Sequence, residues 1–320
     1  NAQDIHFSQF YMSPLNLNPA MTGVMNCNTR FVANYRNQWA QVLGSNAYNT
    51  YSISYDQKVP VGRADYFGIG GTFWGDVAGS TRFGTQQGRL SLSYSKKMGG
   101  YRKKAHYLVI GADAGLTNRG IRQDNLQWGS QHDGNEDFNR ANYLFGDISG
   151  GIMWFSVLDQ FTNYYAGIAI HHLNQPNQSF YRGVFEPLAT RYTFHAGGQL
   201  TIQPRISLIP NAIVMFQGPH RQYNFGTSMR FAMGRSRSSG QSWQAGAWLR
   251  LGTQQNRSVH MDAIVLAARF DYQDFGIGFS YDVNVSSLAQ AVNGNNGAFE
   301  FSLVYYICGP ENRGVYCPKF

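Results

Sequence analysis

The chain has 320 residues and a formal net charge of +8, yet only 14% of its residues are charged. Glycine (36), tyrosine (20) and phenylalanine (22) are in excess, which excludes a helical bundle rich in Ala, Leu, Glu and Lys. A mean hydropathy of −0.35 and the lack of any apolar run of about 18 residues exclude a helical membrane protein.

The opening Asn1-Ala2-Gln3-Asp4 has neither an initiator Met nor an apolar leader. It fits a mature chain after signal-peptide removal, or a trimmed one. Residues 1–29 carry no charge except Asp4, with His6 as the other titratable side chain. Phe7, Phe10, Tyr11, Met12, Leu15 and Leu17 make this stretch too apolar for a free tail.

From residue 30 onward the dominant signal is alternation with a period of two. Leu90, Leu92 and Tyr94 oppose Arg89, Ser91, Ser93 and Ser95. Leu108, Ile110, Ala112, Ala114 and Leu116 face away from Gly111, Asp113 and Gly115. The same pattern runs through Phe275 to Val283 and through Phe299 to Ile307. Continued along the chain, it gives about 14 strands, at 30–39, 48–57, 65–75, 87–96, 105–116, 143–155, 163–172, 190–200, 206–216, 222–233, 242–252, 259–270, 274–283 and 298–307. At 143–155 and 259–270 both faces are apolar, so alternation assigns neither strand a direction.

Strands of about ten residues, tilted, span an apolar band of about 25 Å. The expected fold is therefore all-β: a transmembrane antiparallel up-and-down β-barrel over 30–307, with a non-barrel segment before it. A soluble β-sandwich has fewer and shorter strands and displays charge on its outer face. The lumen of a barrel this size is wide, and residues 1–29 are expected to pack in it or beneath it as a plug. Charge facing lipid at mid-membrane costs about 2–4 kcal/mol for Arg, so Arg36, Arg89, Asp113 and Asp147 should face the lumen.

The gaps between strands differ in length. Those including 117–142, 173–189 and 284–297 are long; those at 58–64, 97–104, 201–205 and 234–241 are mostly short. Long loops belong outside the cell and short turns in the periplasm, which puts both ends of the barrel sequence in the periplasm. The short turns are basic: Lys97, Arg102, Lys103 and Lys104 in one, Arg235 and Arg237 in another. Nucleic acid is an unpromising partner for this charge, because no groove-reading motif accompanies it. Anionic outer-membrane lipid or an acidic periplasmic protein is expected instead. The tail 308–320 holds Cys308 and Cys317, which could close a small disulfide loop in an oxidising compartment. Cys27 would then be a free thiol, unless it pairs with either of them.

Four stretches carry a family resemblance. The opening Gln3-Asp4-Ile5-His6-Phe7-Ser8-Gln9-Phe10-Tyr11-Met12-Ser13-Pro14, continued by Asn18-Pro19-Ala20, resembles the start of PorP/SprF-family outer-membrane proteins, as does Tyr35-Arg36-Asn37-Gln38-Trp39. Gly167 to Pro176, ending His172-Leu173-Asn174-Gln175-Pro176, and Gly278 to Asn284 are similar to later family segments. The resemblance implies a component of the type IX secretion system. Some such members work with a periplasmic ring and a lipoprotein, as part of a secretion motor; others are paired with large secreted proteins, often gliding adhesins. The implied role is non-enzymatic: helping to export a secreted cargo, or holding an adhesin's C-terminal domain at the extracellular loops for gliding motility. A passive or substrate-selective porin is the alternative.

Candidate chemistry is sparse, and no cofactor is expected. His171 and His172 adjoin on one strand and should point to opposite faces, so they make no joint metal site. Gly68-Ile69-Gly70-Gly71-Thr72-Phe73 fails the dinucleotide fingerprint, with Phe73 where the third Gly belongs; these glycines read as places of close packing. Asp133, Asn135 and Asp137 have calcium-loop spacing, but Phe138 and Leu144 stand where the turn Gly and the bidentate carboxylate belong.

Overall fold

The computed structural model describes residues 4–62, 64–79, 83–100, 104–121, 142–159, 162–181, 183–233, 240–253, 259–285 and 297–309. Fourteen antiparallel strands form one closed barrel in which each strand pairs with its sequence neighbours and the first pairs with the last. They are β1 (Thr29–Gln38), β2 (Tyr48–Val61), β3 (Asp65–Ala78), β4 (Phe83–Gly99), β5 (Ala105–Gly120), β6 (Asn142–Asp159) and β7 (Thr162–His171). The circuit continues with β8 (Arg191–Gln203), β9 (Ile206–Gln217), β10 (His220–Met233), β11 (Gln241–Thr253), β12 (Val259–Tyr272), β13 (Phe275–Asn284) and β14 (Ala298–Ile307). Several strands outrun the alternation that reveals them. β4 begins at Phe83 and ends at Gly99, because backbone pairing with β3 reaches back to Phe83 and pairing with β5 runs on to Gly99.

The outer wall is apolar. On β4, Leu90 and Leu92 point outward at 76% and 61% exposure, while Gln87, Arg89, Ser91, Ser93 and Ser95 are buried inside. Aromatic rings gather in two girdles. Near the strand ends that bear Thr29 and Ile307, Phe31 meets Tyr55 and Tyr305, and Phe67 meets Tyr94. At the opposite end, Trp39 meets Tyr48, and Phe216 meets Phe194 and Tyr223. Girdles of aromatic rings mark the two boundaries of a bilayer. The barrel end carrying Thr29 and Ile307, the near end, has only short connections; the far end has the long ones.

The lumen is filled by the chain itself. Residues 4–28 enter from the far end and run down to Thr29 through short helical turns at Phe10–Met12, Pro14–Leu17 and Pro19–Met21. Phe10, Tyr11, Leu17, Ala20, Met21 and Val24 join one buried cluster with Tyr107, Val109, Met153, Phe155, Trp248 and Val265 of the wall. This explains the two strands with apolar faces on both sides. β6 turns Met153, Phe155 and Val157 onto the segment and Ile148, Ile152 and Trp154 to lipid; β12 buries Ala263 and Val265 and exposes Leu266. The inner face is thus greasier than its Gly and Ser content suggests.

Lumen-facing glycines make room for the segment. A Cβ on Gly111 would fall 2.5 Å from Ala20 N and from Pro19 C, and one on Gly68 would collide with the Thr22 carbonyl. Gly278 faces Gln9 and Met12 in the same way. Within that run Gly68 is the seat for the segment's backbone, and Gly70 lies against Leu15 of the segment.

The cysteine pairing corrects the expectation drawn from the tail. Cys308 is bonded to Cys27, 281 residues away, and Cys317 lies outside the described residues. Cys27 precedes β1 and Cys308 follows β14; closure pairs Thr29 with Ile307 and Asn28 N with Ile307 O at 3.0 Å, which brings the two Cα atoms to 4.2 Å. Chain separation hides a neighbour that barrel closure creates. The bond therefore ties the foot of the lumen segment to the closing seam.

Gly111→Val should destabilise the barrel by about 1–3 kcal/mol or more through overpacking, read as a lowered urea midpoint in detergent micelles. Gly88→Ala, where a Cβ meets nothing within 4 Å, should stay within about 0.5 kcal/mol of the parent. Peptide mapping under non-reducing conditions should recover Cys27 linked to Cys308. Cys27→Ser should cost about 2–5 kcal/mol of stability, and recovery of a Cys308–Cys317 peptide would contradict the seam staple.

Candidate functional site

The segment is held by charge as well as by packing. Glu300 of β14 accepts the backbone N–H groups of Ser8 (2.7 Å) and Gln9 (2.9 Å). Asp282 of β13 accepts from Ser8 Oγ at 2.7 Å, from Arg36 Nη2 at 2.8 Å and from Arg250 Nη1 at 2.6 Å. Arg36 also reaches Glu300 at 3.3 Å. Two guanidinium groups and two carboxylates thus surround the Phe7-Ser8-Gln9-Phe10 stretch, all buried. Charges so placed are stable only when paired and hydrogen-bonded, and here the segment completes the pairing.

Lower down, Arg30 grips Asp56 through Nε (2.9 Å) and Nη2 (2.7 Å) and donates to Met21 O at 3.1 Å, while Gly23 N donates to Asp56 Oδ2 at 2.7 Å. Asn18 caps the Pro19–Met21 turn by accepting from Ala20 N at 2.9 Å. Its amide donates across to Ile152 O and Ile168 O at 3.3 Å each and lies 2.9 Å from His195 Nε2. The slot for Asn18 is walled by Gly151 and Gly167, where any Cβ would touch it. Arg89 reaches Asn16 Oδ1 at 2.9 Å and Asp113 at 3.5 Å. Lys58 Nζ donates to Met25 O at 2.9 Å, near the disulfide.

At the far end the segment meets the loop 172–190. Asp4 contacts His172 Nε2 through Oδ2 and sits 3.3 Å from Arg191 Nη1. His172 Nδ1 lies 2.9 Å from Asp147 of β6. His171 and His172 do not diverge as strand neighbours would: β7 ends at His171, and His172 takes a left-handed φ of 59°. Both rings turn inward, with centroids 6.4 Å apart. Burial alone would raise the Asp4 carboxyl, but His172 and Arg191 outweigh it and hold it well below the usual carboxylate range. Burial alone would lower the His172 pKa; Asp4 and Asp147 outweigh it and push it up to about 9.

The loop itself forms a small ribbon, with Gln178 N donating to Glu186 O (2.8 Å) and Leu188 N to Pro176 O (2.9 Å). Its inner side packs on the barrel rim: Phe180 meets Phe83 and Tyr143, and Gln178 accepts from Arg119 at 2.8 Å. Its outer side shows Tyr181, Val184 and Phe185, the last 69% exposed.

Arg36, Arg89, Asp113 and Asp147 are buried in the lumen. Lys97 and Lys104 lie at the near end, and Lys97 N donates to Asp65 at 2.9 Å. Arg102, Lys103, Arg235 and Arg237 lie outside the described residues, as do Asp133, Asn135 and Asp137. Asp282 and Glu300 were visible in the sequence as polar positions of alternating strands, but their shared partners on β1, β11 and the segment were not. Among the described residues no group of three or more His, Cys, Asp or Glu side chains is gathered as a metal would require. What the site offers, among the described residues, is a lumen occupied by an ion-paired stretch of the chain itself and an exposed rim.

Because the His172 pKa lies above its ordinary 6.5, its ion pairs contribute fully below that pH and are lost as pH rises through about 9. The urea stability of the purified protein should fall between pH 7 and pH 10 by a component on the order of 3 kcal/mol. His172→Gln should remove that component; parallel pH profiles for the two proteins would count against it.

Similarity to known proteins agrees with this architecture. The chain resembles a monoaromatic hydrocarbon channel, CymD, at 11% identity and a TM-score of 0.50, with 93% of each chain covered. It resembles CdiB from Escherichia coli at 9% identity and a TM-score of 0.50, over 87% of this chain and 63% of that one. At these identities the likeness is one of fold. No curated protein matches the sequence. The family described as type IX secretion system membrane protein PorP/SprF matches residues 1–305. With a closed barrel that turns apolar side chains outward all round, the chain is an outer-membrane β-barrel and belongs to the PorP/SprF family of type IX secretion system membrane proteins.

Proposed function

We propose that this barrel is a sealed, non-enzymatic docking component that receives a large secreted protein at its extracellular end and helps export it or hold it at the cell surface. A gliding adhesin's C-terminal domain is the cargo class that fits best. The observation that carries this is the filled lumen: residues 7–25 are built into the wall by buried ion pairs, glycine seats and a disulfide. A barrel so packed works through its surfaces. By the usual asymmetry of such barrels the far end faces outward, presenting the ribbon with Tyr181, Val184 and Phe185. The basic near end is then available to a periplasmic lipoprotein or a motor component.

A porin is the competing function, and the same filled lumen speaks against it. Affinity purification of the tagged barrel from native membranes should recover a large secreted protein, and deleting residues 176–188 should abolish recovery while leaving a folded barrel. In planar bilayers the purified protein should conduct far less than an open barrel of this strand number. A barrel that always purifies alone, or one with steady open-pore conductance, would overturn the proposal.

A further inference from the structure

The lumen segment begins where the largest described outer loop is rooted. His172 is the first residue after β7 and Arg191 the first of β8, so the loop between them leaves and re-enters the barrel at these two side chains. Asp4 touches both: Oδ2 meets His172 Nε2 and lies 3.3 Å from Arg191 Nη1. The backbone joins in. Arg191 Nη1 reaches Ile5 O at 3.4 Å, and Asp4 N donates to Gln217 Oε1 at 3.1 Å. Gln217 in turn donates through Nε2 to Ala189 O at 3.4 Å, just inside the loop's returning limb. On the departing limb, His172 is backed by Asp147 of β6 at 2.9 Å.

We propose that Asp4 is a clasp that gathers both feet of the 172–190 loop, so that the lumen segment sets the shape of the extracellular surface. The physical reason is charge arithmetic in a buried place. Without Asp4 the buried Arg191 guanidinium would face the His172 ring, whose own charge Asp4 helps to hold, and the carboxylate shared by the loop's two feet would be lost. A carboxylate between them attracts both feet. Its strength comes from burial: Asp4, His172 and Arg191 side chains are at most 11% exposed, so water screens the contacts little. The loop carries the outward apolar residues Tyr181, Val184 and Phe185, so fixing its feet fixes where they stand. In this way the fold extends the docking role proposed above, on which only the consequence for partner capture rests.

The clasp can be tested without any partner. The purified full-length protein in detergent is followed by hydrogen exchange, reading the Gln178 and Leu188 amides, which hold the ribbon closed. Asp4→Asn should speed their exchange about tenfold or more, because local opening no longer breaks an ion pair. Asp4→Glu, which restores a carboxylate, should return it toward the parent rate; a merely space-filling role would not separate the two. Amides of β10 and β11 should be unchanged, and the heat-modifiable mobility of the folded barrel should persist in both variants. Unchanged ribbon exchange in a folded Asp4→Asn protein would overturn the clasp. Capture of the secreted protein by Asp4→Asn, measured in parallel, should fall with ribbon order. Faster exchange with undiminished capture would support the clasp and count against the 172–190 loop as the docking surface.

Discussion

Every feature of this molecule depends on one constraint: no backbone N–H or C=O can be left unpaired in hydrocarbon. The sheet meets it by closing β1 onto β14, residue for residue from Thr29 with Ile307 to Gln38 with Ala298. Closure at once creates two surfaces of opposite character. The outer one must be apolar, and Leu90, Leu92, Ile110 and Leu116 supply it. The inner one is out of lipid's reach and free to carry Arg36, Arg89, Asp113, Asp282 and Glu300.

A 14-stranded wall encloses more space than its own side chains fill, and here the chain supplies the filling. The interior is therefore organised like the core of a soluble protein, with Met21, Val24, Met153 and Phe155 packed together and Arg30, Arg36, Arg89 and Arg250 drawn into ion pairs. Glycine has a particular part in it. At Gly68 and Gly111 the missing Cβ is the space in which the Thr22 carbonyl and the Pro19–Ala20 backbone lie.

The two ends of that segment are fixed by different chemistry. At the near end a covalent bond joins Cys27 to Cys308 across the closing seam. At the far end the Asp4 carboxylate meets His172 and Arg191, a set of contacts that can open and reform. A structure pinned below and clasped above relates the outer loop to the interior through one continuous stretch of chain.

Much of this was legible in the sequence. Alternation marked the strands because lipid and lumen impose opposite demands on successive side chains, and that demand acts locally. The apolar character of residues 1–29 pointed to a segment packed in the barrel or beneath it, and the polar positions of β1, β4, β5 and β6 pointed to inward charge. What the sequence left open or misread depends on contacts or breaks that alternation does not carry. Cys27 and Cys308 become neighbours only when the first and last strands meet. His172 turns inward beside His171 only because β7 ends there. The partners of Asp4, Asp282 and Glu300 come from several strands at once. Periodicity fixes which face a residue takes; only closure of the barrel around its own N-terminal segment decides whom it meets there.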